Sequence, residues 1–275
     1  KSYAFERPDL RCRALDLHPD YVLEADDAAQ RIEKDLLGLA GEVEIGLDRD
    51  GRRWALVAFA EDVVEEVQPL TAEDTWLVSG GGSGVTAASI IGVAQASPKA
   101  GAHFELLGRS TLIESTADWI DWTEDQLAEE KNALRARLIE ASETGKVTMV
   151  EWNTAWQRFT RSRDVYLTLE AIAQTGNQAT YHSIDVMDHE GLAQLGASLG
   201  RPITGVVHGA GLEDSKLVAD KAYEVFDRVV RVKIDGWRAL MSAVQASGRD
   251  APDFACCFTS VAGRFGNGGQ TDYAA

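Results

Sequence analysis

Cysteine, methionine and proline are scarce in this 275-residue chain, at three, three and six residues. Three cysteines (Cys12, Cys256, Cys257) leave one over from any pairing and lie at no zinc-ligand spacing, which argues against a disulfide framework and against a structural metal. The expected setting is reducing cytoplasm. No apolar run approaches the ~20 residues of a membrane span, and the stretch from Lys1 to Pro8 lacks the apolar core of a signal peptide. Positive charge is short too: 27 basic residues face 44 acidic ones, for a net charge of −17. Such a surface repels phosphate backbones and anionic lipid, so neither nucleic acid nor membrane is an expected partner, and an anionic ligand needs a locally positive pocket. The rest is ordinary. With 45% hydrophobic and 26% charged residues the chain can bury one large core or two smaller ones, and it is neither disordered nor collagen-like.

Residues 1–68 predict a small unit. Leu10 to Leu17 alternates enough for a strand, with Cys12 and Ala14 on one face. Asp26 to Leu39 carries Ala29, Ile32, Leu36 and Leu37 at helical spacing and stops at Gly41. Val43 to Leu47 and Trp54 to Phe59 flank Asp48-Arg49-Asp50-Gly51, a hairpin signal. These elements are too few for a nucleotide-binding domain of their own, and they read as the end of a domain that begins outside the chain. The acidic stretch Glu61 to Asp74, with Pro69, reads as a linker.

Residues 69–275 read differently. Thr75 to Ser79 is a short buried strand that runs into Gly80-Gly81-Gly82-Ser83-Gly84, and Val85 to Ala96 is helical. Further strands are predicted at His103 to Leu107, Ala179 to Ile184 and Ile203 to His208. Strands alternating with helices define an α/β fold with a doubly wound parallel sheet. A crossover needs about a dozen residues, so 111–176 is an insertion, helical at least over Gln126 to Ala141. Four tryptophans (Trp119, Trp122, Trp152, Trp156) fall within it. They suit a docking surface or lid, or else the packing of extra helices on the main body; packing is the commoner use of aromatic residues.

Ser79 to Thr86 joins a strand to a helix. Glycine there lets backbone approach a pyrophosphate, and the helix start supplies free N–H groups and a positive dipole. The spacing departs from Gly-x-Gly-x-x-Gly and follows Thr-Gly-x-x-x-Gly-x-Gly, with Ser79 for the threonine and Thr86 for the last glycine. The second strand ends in Gly108-Arg109-Ser110. An acidic residue there would hold a ribose 2′-hydroxyl, whereas arginine clamps a 2′-phosphate through charge-assisted bonds. NADP is therefore expected over NAD.

Ser260 and Tyr273 stand thirteen positions apart, and with the preceding motifs they carry a family likeness. The chain resembles the short-chain dehydrogenase/reductase superfamily and, within it, the ketoreductase domains of polyketide and polyunsaturated fatty acid synthases. The matching pieces run through about two hundred residues in the family's order. They are Ser79 to Thr86, Leu107 to Ser110, Asp185-Val186, His208 to Gly211, Val232 to Gly236, Ser260 and Tyr273-Ala274-Ala275. The resemblance implies a Rossmann-like catalytic subdomain over 69–275, with its sheet cut short at the C-terminus. It also implies that 1–68 is the end of a cofactor-free, Rossmann-like structural half. The chain is then expected to be a fragment, poorly stable alone because a sheet edge and apolar surface are left open. The insertion resembles those of polyunsaturated fatty acid and related iterative synthases.

The resemblance also assigns roles. NADPH would be held by Ser79, Gly80, Gly82, Ser83, Gly84, Val85, Arg109, Ser110, Asp185, Val186, Gly209, Ala210, Gly211 and Lys233, with Asp185 and Val186 beside the adenine. Lys233, Ser260 and Tyr273 would be catalytic, the lysine coming from the helix before the serine strand as in synthase ketoreductases. A free phenol with a pKa of about 10 is a poor proton relay at neutral pH, and a neighbouring ammonium favours the phenolate. Ser260 would hydrogen-bond the carbonyl oxygen as charge develops there. Leu212-Glu213-Asp214 keeps the last aspartate of the Leu-Asp-Asp pattern that accompanies a 3R product, and Phe265 stands where the opposite class has tryptophan. Asp214 suits a solvated loop or helix cap equally well. The implied reaction reduces a β-ketoacyl chain borne on the phosphopantetheine of an acyl carrier protein, among neighbouring synthase domains. Two alternatives stay open: an inactive pseudo-ketoreductase scaffold, to which bulky Thr86 leaves room, and a free-standing NADP-dependent short-chain alcohol dehydrogenase.

Overall fold

A computed structural model describes residues 1–19, 25–38, 43–62, 68–113 and 121–274. The chain forms two compact units: Lys1–Val67 with Glu213–Val229 and Thr259–Ala275, and Gln68–Leu212 with Val230–Phe258. The division between residues 67 and 68 falls where the composition changes, but two later segments group with the N-terminal residues.

The first unit opens with a short helix, α1 (Ser2–Glu6), followed by β1 (Ala14–Leu17), α2 (Ala25–Leu37), β2 (Glu44–Leu47) and β3 (Arg53–Trp54). β1 pairs parallel with β2, and β2 antiparallel with β3. The expected strand from Leu10 begins only at Ala14, which is exposed, while Leu15 and Leu17 turn inward. Helix α2 is rotated from its expected phase: Ala28 and Asp35 are buried, whereas Ala29 and Leu37 are exposed. Buried Asp35 is compensated by an ion pair with Arg53 at 2.9 Å. The expected stop at Gly41 and the Leu36 side chain lie outside the described residues. The hairpin forms as anticipated: Asp48 accepts from the N–H groups of Asp50 and Arg52, and from Trp54 Nε1 at 2.8 Å. Its second strand is much shorter than expected, with Leu56, Val57 and Phe59 exposed beyond it. No strand flanks β3 on its far side among the described residues, so nothing prolongs the ladder.

The second unit is a five-stranded, wholly parallel sheet. Its strands are β4 (Thr75–Ser79), β5 (His103–Gly108), β6 (Gln178–Ser183), β7 (Gly205–His208) and β8 (Phe254–Cys257), ordered β6-β5-β4-β7-β8. The helices are α3 (Gly84–Ala96), α4 (Glu124–Ala141), α5 (Met149–Gln174), α6 (His189–Ser198) and the part of α7 (Tyr223–Ala246) that follows Val229. Side chains alternate across the pleat. Leu77, Leu107 and Val206 face Leu192 and Leu240 in one layer, and Trp76, Val78, Phe104 and Leu106 face Ile90 and Ile172 in the other. Burial on both faces explains the near-continuous apolar strands. The strand order reverses direction at β4, and the crevice beyond the carboxyl ends of β4 and β7 is where such sheets bind ligands.

The insertion holds a second helix that the residues did not announce. Both of its helices start with a reciprocal capping box, Thr123 with Gln126 and Thr148 with Glu151. Trp122 and Trp156 stack on buried Phe159, with ring centroids 6.0 and 5.1 Å away. Lys131 lies over the rings of Trp152 and Trp156. These tryptophans pack the insertion's own helices, and Trp119 lies outside the described residues.

Gly196 on α6 meets the backbone of Ala243 on α7, so an added Cβ would collide with the Ala243 carbonyl. Gly196→Ala is expected to lower stability by about 1–3 kcal/mol, as overpacked sites do. The urea midpoint checks this, and an unchanged midpoint would contradict the close packing of the two helices.

Candidate active site

β4 delivers Ser79 fully buried, and its hydroxyl lies 2.6 Å from His208 Nδ1 at the end of β7. The same oxygen accepts from Ala210 N–H at 3.2 Å. The hydroxyl and Nδ1 share one proton between them, and Nε2 is buried without a hydrogen bond among the described residues. Two backbones meet above this link. Gly80 has φ +71°, and a Cβ there would lie 2.9 Å from Ala210 N. Thr86 packs into the space that Gly209 leaves, where any Cβ would strike its hydroxyl. The residue that breaks the glycine pattern is thus accommodated from the other strand.

The loop then opens. Gly81 and Gly82 are buried, whereas Ser83, Gly84 and Val85 are exposed, and a Cβ on Gly84 would meet nothing within 4 Å. Ser83 is the N-cap of α3 but makes no side-chain cap bond, so it leaves the first-turn N–H groups open to an anion. Arg109, at the end of β5, is exposed and makes no hydrogen bond or ion pair with described residues. The Ser110 carbonyl accepts from Tyr181 Oη at 3.0 Å. Asp185 is half-buried and accepts from Met187 N–H at 3.0 Å, while the Val186 side chain is core, packed against Gly236.

Lys233 projects from α7 toward Gly211, where a Cβ would lie 3.3 Å from its Cε. Its amine donates to the Phe258 carbonyl at 2.9 Å. It is half-buried, not a helix-surface lysine, and burial pushes its ammonium below the ordinary lysine value while Cys257 acts the other way. Burial pushes His208 down to about 4, and the Lys233 charge adds to this against the backbone of Lys233 and Val232.

The other expected residues belong to the first unit. Ser260 caps the short helix α8 (Val261–Phe265), its hydroxyl accepting from Ala262 N–H at 3.1 Å. Tyr273 is half-buried, and its hydroxyl makes no hydrogen bond with described residues. Asp272 beside it accepts from Tyr273 N–H and forms a fully buried ion pair with Lys221. Removing one partner of such a pair strands the other charge, so this link, which no motif announced, anchors the Tyr273 backbone. Asp214 pairs with Lys216 at 3.0 Å. Phe265 is exposed and lines a cavity of about 420 Å³ with Phe5, Val43 and Leu56. No cluster of metal-ligating side chains occurs among the described residues, and no helix among them is long and apolar enough to cross a membrane.

A glycine loop at the switch point of a doubly wound sheet, opposite an arginine at the next strand end, is the arrangement with which nucleotide-binding α/β proteins hold their ligands. The chain belongs to the KR domain family, which matches residues 75–275. It is 28% identical over 268 residues to a polyunsaturated fatty acid synthase polypeptide of Thraustochytrium sp., covering 95% of this chain and 9% of that protein. Polyketide synthase ThaG of Burkholderia thailandensis is 38% identical over 128 residues, 42% of this chain and 2% of that one. The chain thus spans a small part of the relatives it matches. Among solved structures, A-type ketoreductases from a modular polyketide synthase superpose with a TM-score of 0.67 at 22% identity, covering 99% of this chain and 46% of that one. A ketoreductase domain from the bacillaene assembly line gives 0.60 at 20% identity, over 99% and 52%. At those identities the structures establish the fold.

The depressed His208 value has a thermodynamic consequence. Between pH ~6.5 and ~4 the unfolded chain holds a proton on this ring that the folded chain does not, so stability falls as pH falls through that window. The loss is on the order of 3 kcal/mol. Urea unfolding from pH 7 to 4 is expected to show this slope in the wild type and lose it in His208→Gln. Identical slopes would contradict a buried, neutral imidazole.

Proposed function

We propose that the chain is the NADPH-dependent reductase domain of a multidomain polyketide or polyunsaturated fatty acid synthase. Its substrate is a β-ketoacyl thioester on the phosphopantetheine of an acyl carrier protein, and its product is the 3-hydroxyacyl thioester. The observation that carries this reading is Lys233, withdrawn from the helix surface and held beside Gly211 by the Phe258 carbonyl. A scaffold has no need of a half-buried lysine at the switch point.

The cradle suits a dinucleotide: the space at Gly84 is open, the first turn of α3 is uncapped by Ser83, and Arg109 is exposed at the neighbouring strand end with no bond to a described residue. Ser79 to Val85 and Gly209 to Gly211 would hold the diphosphate side, Arg109 and Ser110 the 2′-phosphate, and Asp185 and Val186 the adenine. When bound, NADPH supplies the hydride. Ser260 donates a hydrogen bond to the substrate carbonyl oxygen as negative charge develops on it. Tyr273 gives that oxygen a proton from its hydroxyl, and Lys233 favours the phenolate left behind. Leu212-Glu213-Asp214, with Phe265 in place of tryptophan, supports a 3R hydroxyl. The rival reading, a scaffold without activity, drew on bulky Thr86, and the room left by Gly209 weakens it.

Tyr273→Phe is expected to cut turnover of a short β-ketoacyl thioester by at least about 100-fold while leaving the NADPH dissociation constant within about twofold. Full activity would overturn the assignment. Arg109→Ala is expected to weaken NADPH roughly 10- to 100-fold, the worth of lost charge-assisted bonds. NADH binding should stay nearly unchanged, and an unaltered preference would move the 2′-phosphate elsewhere.

A further inference from the structure

The crossover before β6 is far longer than a crossover needs, and its second helix makes contacts that general packing does not require. Near its middle α5 turns from the insertion's own tryptophans to the glycine loop. Thr168, buried, shares its one hydroxyl proton between the Gly82 carbonyl at 3.1 Å and the Asp164 carbonyl at 2.9 Å. The Val165 side chain closes on Gly82, where a Cβ would lie 2.8 Å away. On the same stretch of the helix, Ser162, fully buried, accepts from Ile113 N–H at 3.1 Å, and Tyr166 donates to the Ile113 carbonyl at 3.1 Å. Ile113 stands four residues beyond Arg109. Helix α5 thus grips the glycine loop with Val165 and Thr168, and the segment after β5 with Ser162 and Tyr166.

Tyr181 joins the two grips from β6. Its ring lies against Gly82 and Gly108, where a Cβ would stand 3.3 and 3.0 Å from Cε2, and its hydroxyl bonds the Ser110 carbonyl at 3.0 Å. Glycine at 82 and 108 makes room for this one ring. The Arg109-Ser110 turn is therefore fixed at Gly108 by the ring, at Ser110 by the hydroxyl and at Ile113 by Ser162 and Tyr166.

We propose that Tyr181 and Thr168 are positioning residues for the cofactor, and that α5 is a brace. Tyr181 sets the turn that presents Arg109 to a 2′-phosphate, and Thr168 sets the loop that receives the diphosphate. A flexible arginine binds a phosphate more weakly because the ordering of its backbone falls on binding. This deepens the cofactor reading above and rests on it.

The two roles differ in what they discriminate. Tyr181→Phe keeps the ring and removes only the bond to Ser110, so NADPH and 2′,5′-ADP should weaken roughly 3- to 10-fold, with NADH and 5′-ADP within about twofold. Thr168→Val is nearly isosteric and loosens Gly82, so all four ligands should weaken by a similar factor. Dissociation constants measured calorimetrically on the full chain, with a thermal melt for each variant, test this. A general loss of folding lowers the melt and every affinity together; Tyr181→Phe doing so would overturn the specificity role. Unchanged affinities in both variants, with wild-type binding intact, would overturn the brace alone. A wild type that binds none of the four would overturn the cofactor reading itself, and the brace with it.

Discussion

Ser79 and His208 close the carboxyl ends of β4 and β7 around a hydrogen bond of 2.6 Å, with both residues withdrawn from water. The chemistry proposed for the sheet unit hangs on that link. It holds the glycine loop and Gly209 to Gly211 so near each other that a side chain at Gly80 would run into Ala210. It sets a neutral imidazole beneath Lys233, because a charged ring would repel the ammonium and lie uncompensated in the core. The Phe258 peptide completes the circuit: its N–H donates to the His208 carbonyl, and its own carbonyl accepts from Lys233. The loop, the Gly209 to Gly211 segment and the lysine thus belong to one hydrogen-bonded assembly.

A second constraint works from the sheet's other side. The alternation of Trp76, Leu77 and Val78 between the two apolar layers fixes the register of β4, and so the height at which its loop emerges. From α5 and β6, Thr168, Val165 and Tyr181 then hold Gly82. The loop is enclosed where buried, at Gly81 and Gly82, and open where exposed, at Ser83 to Val85. That division suits a site made largely of backbone, since N–H groups bind an anion well only when they are already aimed.

Much of the sheet unit was legible because its signals are local. Thr75 to Ser79 is a short apolar run ending in glycine, and its strand and the following helix emerged within a residue of expectation. Lys233 was placed by the family pattern; its withdrawal from the helix surface depends on Gly211, a contact across the fold. Helix α5 escaped because its apolar residues serve two surfaces in succession, the insertion's tryptophans and then the sheet, and so blur any single stripe. In the first unit, burial of Asp35 against Arg53 shifted α2 from its apolar phase, a tertiary ion pair that helical spacing cannot announce. The hairpin turn was readable from Asp48 to Gly51, but the length of β3 was not, because it depends on a neighbouring strand.

Hydride transfer from the nicotinamide to the β-carbon of an acyl thioester is the central claim, and isotopic labelling tests it most directly. Incubation with NADPH deuterated at either face of its transferable position, and a short β-ketoacyl thioester, is followed by mass and NMR analysis of the product. The expected product is a 3-hydroxyacyl thioester with one deuterium at C3 from one labelled face and none from the other. A reduced product without label at C3, or no reduction by a folded, NADPH-binding protein supplied with a carrier-bound substrate, would contradict the claim.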